Sequence, residues 1–324
     1  MSVRLIDIAN ATGFSLMTVS LVLNPRKGEC RISKKTQEKI KQVAKEMNYT
    51  PNMPARILSG AASNVVGVMF NSVKNCFYSE LQRRIDIALR KHGLVGFYTF
   101  WGNQNEFEKS LEAMKQFNVC GILTGHDLQA NYPEVPIIFY GTLNKELDSI
   151  YPNEEDMMST AVNYALKQGY SKIGFAGLIE LSHRAKAFEE VLHKANLSPS
   201  CKIIIPKDSL VKENVDQFLA KYSDTEVLIF GSDQTAIEWM AELQSRGIKL
   251  PQDLKIIGVN NTEDCENIFP RLTSVDFQLS SLGDILVEKL LNKLNTPSNA
   301  REDFRLPTRI VERASCPAKE EKLR

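Results

Sequence analysis

Short apolar runs alternate with amphipathic stretches through most of this chain. The runs lie at 65–70, 95–99, 121–123, 137–140, 172–176, 201–205, 227–230 and 255–259, with a last one at 309–312. Several are continuous rather than alternating in polarity, as in Val65-Val66-Gly67-Val68-Met69-Phe70 and Val227-Leu228-Ile229-Phe230. A strand buried on both faces reads this way. Between the runs, apolar residues recur at helical spacing near 78–92, 105–117, 156–168, 183–195, 212–222, 234–246 and 280–294. This alternation predicts parallel sheets with helices packed on them. The series comes in two sets, which predicts two doubly wound α/β lobes with a cleft between them. Ligands of such sheets bind beyond the carboxyl ends of the strands.

The first 60 residues have a different texture. Leu5, Ile8 and Ala9 form one face of a short helix, and Gly13 can take the left-handed conformation that ends it. Ser15 is a good N-cap for a second helix, with Thr18 three residues on. Val19, Val22 and Leu23 then face inward, while Leu16, Met17, Ser20 and Leu21 face outward. Two helices joined so tightly are the layout of a helix-turn-helix, whose second helix can lie in a DNA major groove. A third helix fits 33–47, capped by Ser33 and striped by Ile40, Val43, Ala44 and Met47. Tyr49-Thr50-Pro51-Asn52 breaks it, and the following segment, 53–60, is too short to be a stable helix alone.

Charge supports this division. Residues 1–60 hold ten Lys/Arg and four Asp/Glu, a net excess of six, whereas the whole chain carries +1. One end is thus suited to a polyanion and the remainder is not. The six cysteines (30, 76, 120, 201, 265, 316) form no C-x-x-C pair and read as reduced thiols. The four histidines (92, 126, 183, 193) make no metal pattern, so no metal and no cofactor is expected. No P-loop, no G-x-S-x-G elbow and no G-x-G-x-x-G after a strand occurs, which argues against an enzyme. No run of about 18 apolar residues exists, so no membrane partner is expected. At 324 residues the chain can hold two or three full cores.

The order of motifs resembles the lactose-repressor/galactose-repressor (LacI/GalR) family of bacterial transcription regulators, from about Arg4 to Ser315. The most specific piece is Asp7-Ile8-Ala9 through Thr18-Val19-Ser20-x-Val22-Leu23-Asn24, followed by Thr36-x-Glu38-Lys39-Ile40 and Asn48-Tyr49-Thr50-Pro51-Asn52. Asn75-Cys76-Phe77-Tyr78, Arg184-Ala185-Lys186-Ala187-Phe188, Ser232-Asp233, Gly258-Val259-Asn260-Asn261 and Arg313-Ala314-Ser315 match further family elements. The resemblance implies an α-helical helix-turn-helix DNA-binding domain plus an α/β periplasmic-binding-protein-like core of two doubly wound lobes. It divides the chain into a DNA-binding domain (1–49), a hinge helix and linker (50–63), a first lobe (64–151 with 279–305), a second lobe (152–278 with 306–317) and a loose tail (318–324).

It also implies roles for residues. The recognition helix would run from Leu16 to Asn24, with Leu16, Met17 and Leu21 at the base edges. None of these three can make a bidentate hydrogen bond to guanine or adenine, but each can touch a thymine methyl group. The expected operator is therefore weighted toward A·T at these contacts. Arg4, Leu5, Ser15, Thr18, Ser20 and Asn24 complete the DNA-facing set, the polar ones mostly at phosphates. Arg26, Lys27 and Arg31 either add phosphate contacts or belong to a solvated loop. Ala55, Arg56 and Leu58 match the family's hinge helix, with Leu58 as a minor-groove wedge. Pro54 departs from that pattern, since proline suits only a helix's first turn.

In the core, Arg184, Asp233 and Asn260 stand where the family holds its effector. Phe77, Tyr78, Trp101 and Phe139 are candidate aromatic walls, with core packing an equal alternative for each. In that comparison Asn153 and Asn260 replace family carboxylates and Ser232 replaces the Asn of an Asn-Asp pair, so the expected pocket has lost acidic character. The expected protein is a homodimeric repressor of the bacterial cytoplasm, associated with the nucleoid. It would bind a pseudo-palindromic double-stranded operator and answer to a sugar or related metabolite. A regulator with a degenerate, unliganded pocket and a cytoplasmic solute sensor remain as alternatives.

Overall fold

Capping and burial set the boundaries of the first three helices. The structure is a computed structural model that describes residues 3–23, 32–50, 63–71, 76–125, 135–141, 143–144, 147–206, 209–296 and 300–317. It divides into two units, Met1–Asn64 and Val65–Arg324. In the first unit, helix α1 spans Leu5–Thr12. The Arg4 N–H donates to Asp7 Oδ2 at 2.8 Å and closes its first turn. Gly13 ends it at φ 73°, a conformation that a side chain would strain. Helix α2 spans Leu16–Leu23. Ser15 Oγ caps it by accepting from the Thr18 N–H at 3.1 Å. The chain bends by 113° between these helices, as a helix-turn-helix requires. Helix α3, Lys34–Glu46, is capped by Ser33. Ile8, Ala9, Val19, Val22, Ile40 and Ala44 are buried together where the three meet.

The second unit holds two six-stranded sheets. Strands β1 (Val65–Asn71), β2 (Val95–Trp101), β3 (Gly121–Thr124), β4 (Ile137–Tyr140), β5 (Asp148–Pro152) and β11 (Asp303–Leu306) form the first, in the order β11-β5-β4-β3-β1-β2. Strands β6 (Ile173–Leu178), β7 (Lys202–Ile205), β8 (Val227–Phe230), β9 (Lys255–Val259), β10 (Thr273–Asp276) and β12 (Arg309–Val311) form the second, in the order β12-β10-β9-β8-β6-β7. Neighbours run parallel except β10 and β12. Helices α4 (Cys76–Lys91), α5 (Gln104–Gln116), α6 (Glu154–Lys167), α7 (Ser182–Lys194), α8 (Val211–Lys221), α9 (Asp233–Ser245) and α10 (Leu279–Asn295) connect them. The expected two-lobed, doubly wound architecture is present. One apolar cluster takes in Phe70 and Leu123 from the first sheet and Phe175 and Val259 from the second. Among the described residues, no single helix is long and apolar enough to cross a membrane.

Three strands escape the sequence pattern. β5 begins with Asp148 and ends with Pro152, and β10 carries only one aliphatic residue, Val275. Ser149, Thr273 and Ser274 are nevertheless fully buried. Each is affordable there because its hydroxyl is bonded: Ser149 Oγ accepts from Asn144 N at 3.0 Å, Thr273 Oγ1 donates to Arg313 O at 2.9 Å, and Ser274 Oγ donates to Asp233 Oδ1 at 2.6 Å. β11 is short and mostly exposed, and it exists only because the chain returns from the second lobe to pair with β5.

α4 and α10 cross closely at Gly283. A Cβ there would lie 2.5 Å from the Arg84 carbonyl carbon and 2.8 Å from Ile85 N. Those atoms are backbone and cannot swing away. Gly283→Ala should therefore destabilise the core by about 1–3 kcal/mol despite alanine's better helix propensity. Urea unfolding of the two proteins measures this; an equal or raised midpoint would show that the crossing relaxes freely.

Candidate DNA-facing and ligand-binding sites

The outer face of α2 is apolar and open. Met17 is 74% exposed, Leu16 47% and Leu21 41%. Such side chains on a three-helix unit of this size have no core to join, because Val19 and Val22 already fill it. Ser20 is half-buried, and Leu5 packs against the core rather than standing clear of it. Ser15 and Thr18 share a hydrogen bond of 2.8 Å between their hydroxyls, so both are engaged at the cap. Arg4 is exposed and loosely paired with Asp7 at 3.7 Å. Asn24, Ala55, Arg56 and Leu58 lie outside the described residues, as do Arg26, Lys27, Arg31 and Pro54.

In the second unit, a cavity of about 250 Å³ opens at the strand ends of both sheets. Its apolar wall is built by Phe77 and Tyr78 of α4, Tyr140 at the end of β4, Phe277 just after β10, Leu282 of α10 and Leu306 of β11. Phe77 meets Tyr78 at 5.2 Å and Phe277 at 5.9 Å between ring centroids. The Tyr140 hydroxyl donates to Met69 O at 2.7 Å, which fixes the ring. Burial pushes the Tyr140 phenol well above its usual pKa. Burial also raises that of Tyr78, against the opposing charge of Arg184.

The polar end of the cavity comes from four elements. Arg184, in the first turn of α7, is 8% exposed. Its Nε donates to Glu154 Oε2 at 3.0 Å, and its Nη1 donates to Gly231 O at 2.5 Å and more weakly to Asn260 Oδ1 at 3.4 Å. Glu154 opens α6, directly after the Asn153 cap, whose Oδ1 accepts from Asp156 N at 3.1 Å. His183 Nε2 lies 3.0 Å from Glu154 Oε1. Burial works against the Glu154 carboxylate, but Arg184 and His183 outweigh it and hold its pKa below 4.5. Asn260 adopts φ 116° at the end of β9, where its N–H donates to Val275 O at 3.0 Å. Ser232 caps α9 by accepting from Thr235 N at 3.3 Å.

Phe77, Tyr78, Arg184 and Asn260 are thus brought together, and three other expected residues are not. Asp233 is fully buried but absent from the cavity lining. Its Oδ1 accepts from Ser274 Oγ at 2.6 Å, and its Oδ2 from Thr262 N at 2.8 Å and Thr262 Oγ1 at 3.3 Å. It pins α9 to β10 and to the turn after β9. Burial pushes its pKa up while those bonds pull it back. Phe139 points to the other face of β4, since consecutive strand residues alternate and Tyr140 faces the cavity. Trp101 packs edge-on against Phe107 at 5.7 Å, in a separate apolar cluster. The expectation of a pocket without acidic character also needs correction. Asn153 is a cap, and the acid is its neighbour Glu154. Sequence reasoning missed Tyr140, Glu154, His183, Phe277, Leu282 and Leu306. Strand alternation offered a signal for Tyr140, and the following position offered one for Glu154. Phe277 had none, because β10 itself was invisible.

A second cavity, of about 210 Å³, lies between α10 and strands β5 and β11. Lys289 pairs there with Glu302 at 2.8 Å, and Lys293 with Asp148 at 2.9 Å. Its charges compensate one another and it brings no apolar wall comparable to the first.

Two α/β lobes that hold a cavity at their strand ends, beside a separate helix-turn-helix unit, define a ligand-binding regulator. Residues 4–52 match the model for bacterial regulatory proteins of the lacI family, and residues 162–316 match a periplasmic binding protein-like domain. The sucrose operon repressor of Streptococcus mutans is 30% identical, covering 96% of this chain and 98% of that one. Catabolite control protein A of Priestia megaterium is 27% identical over 97% of this chain and 99% of its own. The lac repressor dimer bound to operator and the anti-inducer ONPF has the same fold, with a TM-score of 0.87 at 22% identity over 98% of this chain and 99% of that chain. The chain belongs to the LacI family: it is a DNA-binding transcriptional regulator with a core for a small-molecule effector, and these relatives are regulators rather than enzymes.

Because Glu154 has a lowered pKa in the folded state, it contributes stability above the ordinary carboxyl value of 4.5 and loses it as pH falls through the lower, folded value. The stability difference between the wild-type protein and Glu154→Gln should be full near neutral pH and shrink steadily in acid. Unfolding both by urea from about pH 7 to about pH 3 tests this; a gap independent of pH would mean that Glu154 is not held as a carboxylate.

Proposed function

We propose that the protein is a homodimeric repressor that acts by binding alone, without catalysis, in the bacterial cytoplasm. Two copies would grip a pseudo-palindromic operator with their α2 helices about one helical turn, roughly 34 Å, apart. The observation that carries this reading is the exposed Leu16-Met17-Leu21 face on a helix-turn-helix unit whose core is already complete. Apolar side chains in a major groove recognise thymine methyl groups, so the half-sites are weighted toward A·T. Arg4 and the lysines of α3 fit the phosphate backbone. Ser15 and Thr18 serve first as the cap that aims α2, and the backbone around them as a contact.

The DNA-reading segment is 1–49, joined through the hinge segment 50–63 to a core that holds the effector cavity. Leu58, with Ala55 and Arg56 beside it, takes the wedge role on resemblance alone. The relatives' names, sucrose repressor among them, support a sugar or related metabolite as effector. Phe77, Tyr78, Tyr140 and Phe277 offer ring faces to it, and Arg184, Asn260, Glu154 and Ser232 offer hydrogen bonds. The effector acts through its difference in affinity between two arrangements of the lobes.

Selection from a pooled DNA library by the full-length protein should return a symmetric motif with A·T-rich half-sites. Met17→Ala should flatten the preference at one position per half-site by about 1 kcal/mol while leaving binding to unrelated DNA unchanged. Deleting residues 1–62 should abolish DNA binding and retain ligand binding. An asymmetric motif, or none at low salt from a folded dimer, would refute the repressor reading and favour a solute sensor.

A further inference from the structure

The cavity is electrically balanced before any ligand enters. Arg184 is its one guanidinium, with a side chain only 10% exposed. Glu154 sits on the same guanidinium at 3.0 Å, and His183 lies 3.0 Å from the other oxygen of that carboxylate. The second acid that the sequence suggested, Asp233, is sealed behind the cavity by Ser274 and Thr262. What remains for a ligand is dipolar rather than charged. Arg184 Nη2 and Asn260 Nδ2 make no hydrogen bond among the described residues, and both belong to residues more than nine-tenths buried in the lining. The carboxylate oxygens of Glu154 each keep a lone pair that can accept from a hydroxyl.

We infer that Glu154 sets the charge of the effector, so that the cavity takes an uncharged, hydroxyl-bearing molecule with an apolar ring face and rejects its phosphorylated or carboxylated counterparts. This rests on the reading of the cavity as the effector site. An anionic head brought to Arg184 Nη2 approaches the guanidinium that Glu154 already neutralises, and meets the carboxylate's charge within a few ångströms. Among the described residues, His183 is already engaged by Glu154, and Tyr140, Phe277, Leu282 and Leu306 bring no counter-charge. Between buried groups, such repulsion is poorly screened. A neutral hydroxyl meets no such penalty: it can accept from Nη2 or the Asn260 amide and donate to Glu154. Specificity of this kind comes from an element that repels the wrong ligand.

The test uses matched pairs: neutral sugars, their monophosphates, and inorganic phosphate, titrated into the full-length protein by calorimetry. For the wild-type protein, saturable binding is expected only among the uncharged members. Glu154→Gln should gain affinity for inorganic phosphate and for sugar phosphates by about tenfold, the ratio that about 1.4 kcal/mol produces. Arg184→Gln in the same background should remove the gain. Should Glu154→Gln fail to fold, His183→Arg places a permanent cation on Glu154 at a side chain that is 42% exposed, and should gain phosphate affinity likewise. Wild-type binding of phosphate or a sugar phosphate that Arg184→Gln abolishes would overturn the inference. So would a folded Glu154→Gln or His183→Arg protein with no gain. The effector reading fails separately: if an uncharged ligand still binds Asn260→Leu with full affinity, its site lies elsewhere, whereas the phosphate titrations report on the cavity's charge alone.

Discussion

A buried guanidinium cannot be left uncompensated, and the polar end of the cavity is organised around that constraint. Arg184 reaches three elements besides its own helix: Glu154 at the start of α6, the Gly231 carbonyl after β8, and Asn260 after β9. Removing any one partner leaves part of the charge facing low dielectric. The constraint explains why two strand ends and two helix starts of the second lobe converge on a single point. It also ties the polar end of the cavity together, while the aromatic wall comes mainly from α4 and β4 of the first lobe. Lobes that each supply half of a site are coupled by whatever occupies it.

The two acids near this centre show how environment assigns roles. Glu154 is partnered by Arg184 and His183 and is held below its ordinary pKa. Asp233 is partnered only by neutral donors and is pushed the other way by burial. One carboxylate therefore presents a fixed charge to the cavity, and the other acts as an internal clamp across α9, β10 and the turn after β9. Residue type alone does not separate these roles; the partners do. The first unit follows a different logic, in which a complete apolar core leaves Leu16, Met17 and Leu21 outside. Exposed apolar groups of this kind are costly in water and gain their use only against a partner surface.

Much of the fold was legible in the chain. Continuous apolar runs such as Val227–Phe230 and residues 256–259 fall within observed strands, because the part of a strand buried on both faces tolerates no charge. Gly13 and Ser15 marked the turn of the helix-turn-helix, because left-handed backbone and an unsatisfied helix N-terminus each select few residue types. Phe77, Tyr78, Arg184 and Asn260 were identified as site residues and do line one cavity. Trp101, Phe139 and Asp233 were grouped with them and do not. Each is a residue of the right chemistry on an element of the right kind, but on the wrong face or behind the wall.

The sequence by itself determined most of the elements and their order, the helix-turn-helix with its outward apolar face, and the family. These follow from short-range rules: periodicity, capping and positive-φ turns act over a few residues and leave a local trace. The tertiary structure alone decided that the polar strand β10 lies inside its sheet between β9 and β12, that β11 pairs with the distant β5, and that Glu154 rather than Asp233 lines the cavity. Those outcomes depend on which hydroxyls and charges find partners far away in sequence. Burial of a polar residue becomes affordable only once its partner is in place, and no local pattern encodes that meeting.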